Sequence, residues 1–109
     1  FKEDVPDLRN TKVVDIIGEL ADYGVRVIVH DPLADPDEAR RYYGLELQQL
    51  EDIDRVDGVI IAVIHAAYRK MGIKKIAALC NDNTPLILDV KGGFSAGEAA
   101  ENAIGYWRL

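Results

Sequence analysis

The sequence has few of the side chains that build disulfides or metal centres. Its 109 residues contain one cysteine, Cys80, and two histidines. A single cysteine cannot form an internal disulfide, and so few thiols and imidazoles give no cluster with the spacing of metal ligands. We therefore expect neither a disulfide framework nor a structural zinc site.

Long apolar runs and an excess of basic residues are also missing. No stretch approaches the roughly 20 apolar residues that span a bilayer, and residues 1–20 lack the charged start and apolar run of a signal peptide. The formal net charge is −6, whereas a nucleic-acid-binding domain normally presents a basic stripe. These absences predict a cytoplasmic chain that binds neither membrane nor nucleic acid and holds any phosphate ligand by local contacts.

Length and composition predict one domain over residues 1–109. The hydrophobic share is 49% and the charged share is 29%, which is ordinary for a soluble globular protein. A domain of this size removes only about two-thirds of its unfolded surface from water, so its core is expected to be modest.

Two helices are predicted in the first half of the chain. Apolar residues recur at helical spacing over residues 11–23, with Asn10 as a candidate N-cap and Gly24 as a left-handed stop. A shorter helix is predicted over residues 36–43, because Asp35 is a good N-cap, proline and two acidic residues follow it, and Gly44 follows the last turn.

Five segments are predicted to be strands. They are VRVIVH (25–30), LELQQL (45–50), GVIIAVI (58–64), PLILDV (85–90) and IGYWRL (104–109). The first is rich in β-branched residues and is followed by a turn signal, Asp31-Pro32. GVIIAVI has no polar residue, which is typical of a strand buried on both faces and predicts the centre of the core.

Two further helices are predicted after the third and fourth of these strands. Apolar residues recur at helical spacing from residue 73 to residue 80, so Cys80 is expected to face inward as a small hydrophobe. A nucleophilic role for Cys80 is the alternative, but catalytic thiols lie in electropositive, accessible places. Ser95 and Glu98 have the spacing of a capping box that begins a short helix.

Strands that alternate with helices predict an α/β fold, Rossmann-like and doubly wound, with a mainly parallel sheet and helices on both faces. Ligands bind such sheets at the carboxyl ends of the strands, and helix N-termini favour anions. The polar residues of interest are therefore those that follow a strand, namely Asp31, His65, and Lys91 with Gly92 and Gly93.

The opening segment FKEDVPDLRN precedes the first helix, so we interpret it as the loop after a first strand that this chain lacks. Phe1 offers a flat face to a base or sugar, Lys2 a point charge to a phosphate, and Arg9 a planar fork to a second anion. The alternative is a solvated loop in which Lys2 and Arg9 neutralise three nearby carboxylates.

Several segments in register resemble a known family. They are FKEDVPDLRN, YGVRVIVHDPLADPDEA, YGLEL, AVIHAAY, DVKG and a terminal YWRL. Together they resemble the C-terminal, UDP-binding domain of the UDP-glucose/GDP-mannose dehydrogenase family. They are most similar to the UDP-N-acetylhexosamine 6-dehydrogenases of bacterial capsule and O-antigen synthesis.

The resemblance implies an enzyme that oxidises the C6 hydroxyl of a UDP-sugar to a carboxylate, using NAD twice, through intermediates on a cysteine. In the family that cysteine belongs to the N-terminal and central domains, and the N-terminal domain binds most of the NAD. Cys80 lacks the glycine and proline neighbours of the family's nucleophile. The resemblance thus implies that this chain holds no catalytic residue, is inactive alone, and works with the other domains in a homo-oligomer. In the family's doubly wound sheet the strand before FKEDVPDLRN lies between VRVIVH and GVIIAVI. Without it two sheet edges would be unpaired, which predicts upstream residues or pairing with another copy.

The resemblance also implies roles for four residues. Phe1 and Lys2 would contact the UDP-sugar, Lys91 the UDP diphosphate, and Arg9 the pyrophosphate of NAD. Many relatives carry arginine where this chain has Lys91. A lysine keeps the charge but loses the bidentate geometry of a guanidinium.

Other candidate residues keep two interpretations each. Asp31 is either an acid on a ribose or part of a turn, and no G-x-G-x-x-G occurs to favour the former. His65 either contacts a nucleotide or makes structural hydrogen bonds. Tyr106 and Trp107 are interpreted as packing or domain-contact residues. At the level of function, a non-catalytic module that senses a free nucleotide is the alternative to a dehydrogenase domain.

Overall fold

The computed structural model describes residues 12–81 and 85–108. The chain forms two compact units, which we call the helical unit (Phe1–Asp52) and the sheet unit (Ile53–Leu109). The assignment of residues 1–109 to one domain stays a prediction. Within the described residues no helix is both long and apolar enough to cross a membrane.

The helical unit contains α1 (Lys12–Asp22), α2 (Pro36–Tyr43) and a 3₁₀ turn (Leu50–Asp52). Helix α1 agrees with the predicted segment to within one residue at each end. It ends at Gly24, whose φ of 78° is the left-handed stop that the sequence predicts. The proposed N-cap, Asn10, lies outside the described residues.

Both ends of α2 follow from local chemistry. The Asp35 carboxylate accepts hydrogen bonds from the backbone N–H groups of Asp37 (2.8 Å) and Glu38 (3.4 Å), which have no partner inside the helix. Pro36 occupies the first turn, where no N–H is needed. Gly44 has a φ of 66° and ends the helix in the left-handed conformation. The predicted capping of this helix is confirmed.

A small core joins the two helices of this unit. Ala39 is fully buried on α2 and Ala34 is buried in the turn before it. The half-buried residues that pack against them are Val13, Val14, Tyr43, Leu45 and Leu47. The stabilising surface is modest, because both fully packed residues are alanines and bury little apolar area.

The predicted strands VRVIVH and LELQQL are wrong as regular strands. Between them the structure has a single parallel bridge, Val29 to Leu47, in which the Gln48 N–H donates to the carbonyl of Val29 at 2.8 Å. A β-branched composition favours extended backbone, but a strand also needs a neighbour that pairs along its length. One bridge does not supply such a ladder.

The sheet unit contains three parallel strands in the order β1 (Val59–Ile61), β2 (Leu86–Asp89) and β3 (Gly105–Arg108). Helix α3 (Ala66–Ala77) connects the first two strands, and α4 (Ala96–Glu101) connects the last two. Parallel strands joined by helices confirm the predicted Rossmann-like α/β fold. Helix α3 is broken at Gly72, whose φ of 79° and ψ of 161° are not helical.

The register aligns the carboxyl ends of the three strands. Ile61 pairs with Asp89, and Asp89 pairs with Arg108. The last residues of β1, β2 and β3 therefore lie side by side at one edge, which we call the carboxyl edge. The connections that leave β1 and β2 at this edge are the places where a parallel α/β sheet normally binds ligands.

The core of the sheet unit is formed mainly by isoleucines. Its buried residues are Ile61, Ile64, Ile73, Ile76, Ala77, Ile87, Ala99 and Ile104. Ile60, in the middle of β1, is 39% exposed, so the prediction that GVIIAVI is buried on both faces is wrong. Successive strand residues point to opposite faces, and only the face with Ile61 packs into this core.

Cys80 is buried as predicted, but it does not belong to a helix. Helix α3 ends at Ala77, and Cys80 forms a parallel bridge with Val56. Its thiol lies 3.8 Å from the carbonyl oxygen of Leu86. The side chain therefore packs as a small hydrophobe with a weak donor.

The cap of α2 is expected to contribute measurably to stability. Asp35→Ala removes the acceptor of two backbone donors and should lower the free energy of unfolding by about 0.5–2 kcal/mol in urea denaturation. Asp35→Asn keeps an acceptor oxygen and should stay close to the wild type. Asp54→Ala, which removes an exposed carboxylate from a 3.9 Å ion pair, is the matched control. Equal losses in Asp35→Ala and Asp35→Asn would contradict the capping role.

Candidate functional site

Lys91 lies in the connection that leaves β2 at the carboxyl edge. We call residues 90–94 the Lys91 loop. The Lys91 side chain is exposed, and among the described residues it makes no ion pair. The chain on both sides of it is held, because the Val90 N–H donates to the Ile61 carbonyl at 3.0 Å and the Gly92 N–H donates to Asp89.

The Asp89 carboxylate is the anchor of this loop. Asp89 is fully buried at the end of β2. Its Oδ1 accepts from the Gly92 N–H at 3.0 Å, and its Oδ2 accepts from the Phe94 N–H at 3.1 Å and from the Tyr106 hydroxyl at 2.6 Å. A buried carboxylate is costly unless donors surround it, so these three bonds are needed to keep Asp89 inside.

Two glycines let the Lys91 loop close over Asp89. Gly92 has a φ of 66°, a conformation that a side chain makes unfavourable. At Gly93 a Cβ atom would lie 2.8 Å from Cγ1 of Ile64, a residue of the core. Both positions therefore require glycine, the first because of its backbone angle and the second because of its close packing.

Tyr106 and Arg108, both on β3, complete the network. The Tyr106 hydroxyl lies 2.6 Å from Asp89 Oδ2 and 3.0 Å from the carbonyl of Phe94. Arg108 donates through Nη2 to the same carbonyl and through Nε to the Tyr106 hydroxyl at 3.3 Å. Its guanidinium also stands 5.7 Å from the centre of the Tyr106 ring. The loop after β2 is thus bound to the neighbouring strand.

Of the four residues predicted to contact ligands, the described part of the chain contains Lys91. Phe1, Lys2 and Arg9 lie outside the described residues, so their convergence with Lys91 stays a prediction. Lys91 itself lies at the carboxyl edge, where the strand order and the sequence predict it.

The Asp31-Pro32 segment is a turn. Asp31 Oδ1 accepts from the N–H groups of Leu33 (2.9 Å) and Ala34 (3.0 Å), which is the geometry of an Asx turn. This confirms the interpretation of Asp31 as a turn residue and accounts for its carboxylate without a ribose.

His65, at the N-cap position of α3, is only 1% exposed and its ring lies 5.7 Å from that of Tyr68. A side chain this buried offers little surface to a nucleotide. The burial of His65 therefore favours a structural role over a nucleotide contact. Tyr106 packs against the core of the sheet unit, as predicted, whereas Trp107 is 57% exposed.

A groove of about 320 Å³ lies at the opposite end of the sheet unit. Its lining comes from the end of α3 and from residues that precede β2 and β3, including Ala77, Cys80, Pro85 and Ile104. No residue of the Lys91 loop lines it. In the part of the chain that the structure describes, no three His, Cys, Asp or Glu side chains group as metal ligands.

Four residues of this network were not predicted from the sequence, namely Asp89, Phe94, Tyr106 and Arg108. The sequence does contain a signal for Asp89, because an acidic residue at the end of the apolar run LILD must be hydrogen-bonded if the strand is buried. The sequence carries no such signal for the other three, since the bonds of Tyr106 and Arg108 to the Phe94 carbonyl span 12 and 14 positions along the chain.

The Tyr106 hydroxyl is expected to link stability to alkaline pH. Burial raises the pKa of Tyr106, and its hydrogen bond to Asp89 adds to the rise. Below about pH 10 the phenol is protonated in the folded and unfolded chain, so its contribution is complete. Above that pH the unfolded chain loses the proton first, and stability falls until the pH passes the raised folded-state pKa.

Tyr106→Phe should therefore lower the free energy of unfolding at pH 7 by about 1–3 kcal/mol, because Asp89 loses a donor. Above about pH 10 the variant should lose stability less steeply than the wild type. Tyr42→Phe, at a side chain that is 66% exposed, is the matched control and should follow the wild type. Urea denaturation at pH 7 to 11 measures both effects. Identical slopes for wild type and Tyr106→Phe above pH 10 would refute this linkage.

Comparison with known proteins agrees with the resemblance of the sequence. The model of the UDP-glucose/GDP-mannose dehydrogenase family, UDP binding domain, matches residues 1–96. Protein CapL of Staphylococcus aureus is 42% identical over 90% of this chain and 23% of its own length. UDP-N-acetyl-D-glucosamine 6-dehydrogenases of Pseudomonas aeruginosa and Salmonella typhi are 44% and 37% identical, over 72% and 75% of this chain.

The chain spans about a fifth of the length of these relatives, which is 19% for each of the two dehydrogenases. The family match, in contrast, covers most of the chain. The chain therefore belongs to the UDP-glucose/GDP-mannose dehydrogenase family, and what it matches there is the UDP binding domain.

Proposed function

We propose that this chain is the C-terminal, UDP-sugar-binding domain of an NAD-dependent dehydrogenase. The enzyme would oxidise the C6 hydroxyl of a UDP-N-acetylhexosamine to the carboxylate, for capsule or O-antigen polysaccharide. The match of the family's UDP binding domain to residues 1–96 carries the proposal. Two relatives named as UDP-N-acetyl-D-glucosamine 6-dehydrogenases support the substrate class.

Lys91 is the described residue best suited to bind the UDP diphosphate. It is an exposed cation at the carboxyl edge, on a loop whose backbone is bonded on both sides. The chain as a whole carries a net charge of −6. A diphosphate must therefore be attracted by local positive charge, and a lysine supplies this as a point charge with three donors.

Phe1, Lys2 and Arg9 complete the proposed site. Phe1 would contact the sugar or base of the UDP-sugar, and Lys2 would add a second cation for it. Arg9 would bind the pyrophosphate of NAD with its planar guanidinium. The motif FKEDVPDLRN, from which these roles come, lies within the residues that the family model matches.

NAD would supply the oxidising power, accepting hydride from the substrate. The described residues do not fit the main NAD site, because the chain has no G-x-G-x-x-G loop and His65, which follows the connection from β1, is buried. A contact to NAD is proposed only for Arg9. Cys80 is 5% exposed, which does not fit a nucleophile. The nucleophile and most of the NAD site would thus belong to the N-terminal and central domains of the same cytoplasmic enzyme, which we predict to be a homo-oligomer.

The chain alone is expected to bind UDP weakly and NAD more weakly. In an NMR titration of the ¹⁵N-labelled 109-residue chain with UDP, the amides of the Lys91 loop should shift. Lys91→Ala should weaken binding about five- to tenfold, because one exposed charge-assisted hydrogen bond is lost. Lys91→Arg keeps the charge and adds a bidentate fork, so it should bind at least as well as the wild type.

Lys75→Ala, at an exposed lysine of α3, is the matched control and should bind like the wild type. Equal binding by Lys91→Ala and the wild type would remove Lys91 from the site. Tight binding of one nucleotide by the chain alone would instead favour the sensing module.

A test in the full-length dehydrogenase separates the two ligands. Lys2→Ala should raise the Michaelis constant for the UDP-sugar, whereas Arg9→Ala should act more on the constant for NAD. Both effects follow from the loss of a charged contact to a phosphate. Unaltered constants for both ligands in both variants would mean that these residues lie elsewhere.

A further inference from the structure

We propose that Arg108 is a positioning residue for diphosphate binding, acting through the Lys91 loop and not through contact with the ligand. The inference rests on the proposed function, since it deepens the role given to Lys91. Arg108 ends β3, and β3 is the strand next to the one that carries the loop. Its contacts to Phe94 and Tyr106 are what carry the inference.

The backbone on both sides of Lys91 is hydrogen-bonded. Residue 90 is held by its N–H bond to Ile61, and Gly92 by its N–H bond to Asp89. The Cα atom of Lys91 therefore lies between two residues whose backbone N–H groups are hydrogen-bonded. A lysine side chain is flexible, so a fixed backbone removes part of the ordering cost of binding an anion.

The far end of the Lys91 loop is hydrogen-bonded to both β2 and β3. Phe94 is bonded at both of its polar backbone groups, because its N–H donates to Asp89 and its carbonyl accepts from Arg108. The Tyr106 hydroxyl lies between these two anchors, 2.6 Å from Asp89 and 3.3 Å from Arg108 Nε. Arg108 thus closes a ring of bonds from β2, through the loop, to β3.

The Arg108 side chain also lies against the middle of the Lys91 loop. A Cβ atom at Gly92 would lie 3.4 Å from Arg108 Cδ and 3.6 Å from Nε. The arginine side chain therefore runs beside Gly92, the residue directly after Lys91. Gly92 has a left-handed φ, and the stem of Arg108 limits the alternative paths that this flexible residue allows.

Arg108 is also the residue of this network whose substitution should least affect folding. Asp89 is fully buried, whereas Arg108 is exposed and its donors reach the loop from the surface. Removing Arg108 leaves no buried charge unpaired, because Asp89 keeps its three donors. The expected result is a folded chain with a looser Lys91 loop.

The test is a double-mutant cycle in UDP binding, measured by NMR titration of the 109-residue chain. Arg108→Ala should weaken binding about fivefold, since the loop loses its preorganisation. In the Lys91→Ala background, Arg108→Ala should have almost no further effect, because its action passes through Lys91. Additive losses would mean that Arg108 contacts the diphosphate directly, and would overturn the positioning role.

Two further variants separate geometry from charge. Arg108→Lys keeps the positive charge but cannot donate to Phe94 and Tyr106 with one planar fork, so it should bind UDP as weakly as Arg108→Ala. Full rescue by lysine would overturn the inference. Arg41→Ala removes an exposed arginine of α2 and is the control for lost net charge, which should leave binding unchanged.

Hydrogen exchange supplies a readout that does not need the ligand. The Phe94 amide should exchange faster in Arg108→Ala, while amides of the sheet core keep their protection. If the wild type binds no UDP, the proposed function itself fails. If the wild type binds UDP and Arg108→Ala binds equally well with an unchanged Phe94 amide, only the positioning role fails.

Discussion

The burial of one carboxylate organises the carboxyl edge of the sheet unit. Asp89 is fully buried, and a carboxylate in such a place is tolerated only when donors satisfy its oxygens. Those donors come from two parts of the chain, since the Gly92 and Phe94 N–H groups belong to the loop and the Tyr106 hydroxyl belongs to β3. The loop cannot move outward without leaving Asp89 unsatisfied. The same bonds that keep the strand end buried thus determine the path of the residues that follow it.

This constraint gives an exposed cation a defined place in an acidic chain. With a net charge of −6, the surface as a whole repels a diphosphate, so attraction must come from single groups. Exposed charges are screened and their side chains are mobile, which makes an isolated lysine a weak ligand. Lys91 lies at the carboxyl edge, and the residues on either side of it in the chain are hydrogen-bonded. The exposed lysines of α3, Lys74 and Lys75, also have a hydrogen-bonded backbone. Under the proposed function, the position of Lys91 at the carboxyl edge separates it from them.

What the sequence could predict follows from the range of each interaction. The caps of α2 depend on residues within four positions of each other, and Asp35 and Gly44 were identified correctly. The prediction of a strand at VRVIVH was wrong, because a strand forms only where a second segment pairs with it. The composition of one segment does not show whether such a partner exists. The Asp89 network was missed for the same reason, since its Tyr106 contact spans 17 positions along the chain. Lys91 was placed at the carboxyl edge because strand order alone predicts that position.

The groove of the sheet unit and its proposed ligand site lie at opposite ends of the strands. The groove borders residues that precede β2 and β3, such as Pro85 and Ile104, whereas Lys91 follows β2. Concave volume usually indicates a ligand site when one domain encloses the ligand. A ligand that is shared between domains needs only an exposed group on a fixed loop from each of them. Under the proposed function the described part of this chain contributes such a group, the Lys91 side chain. The position of Lys91 and the hydrogen bonds of its loop therefore indicate the site better than the volume of a groove does.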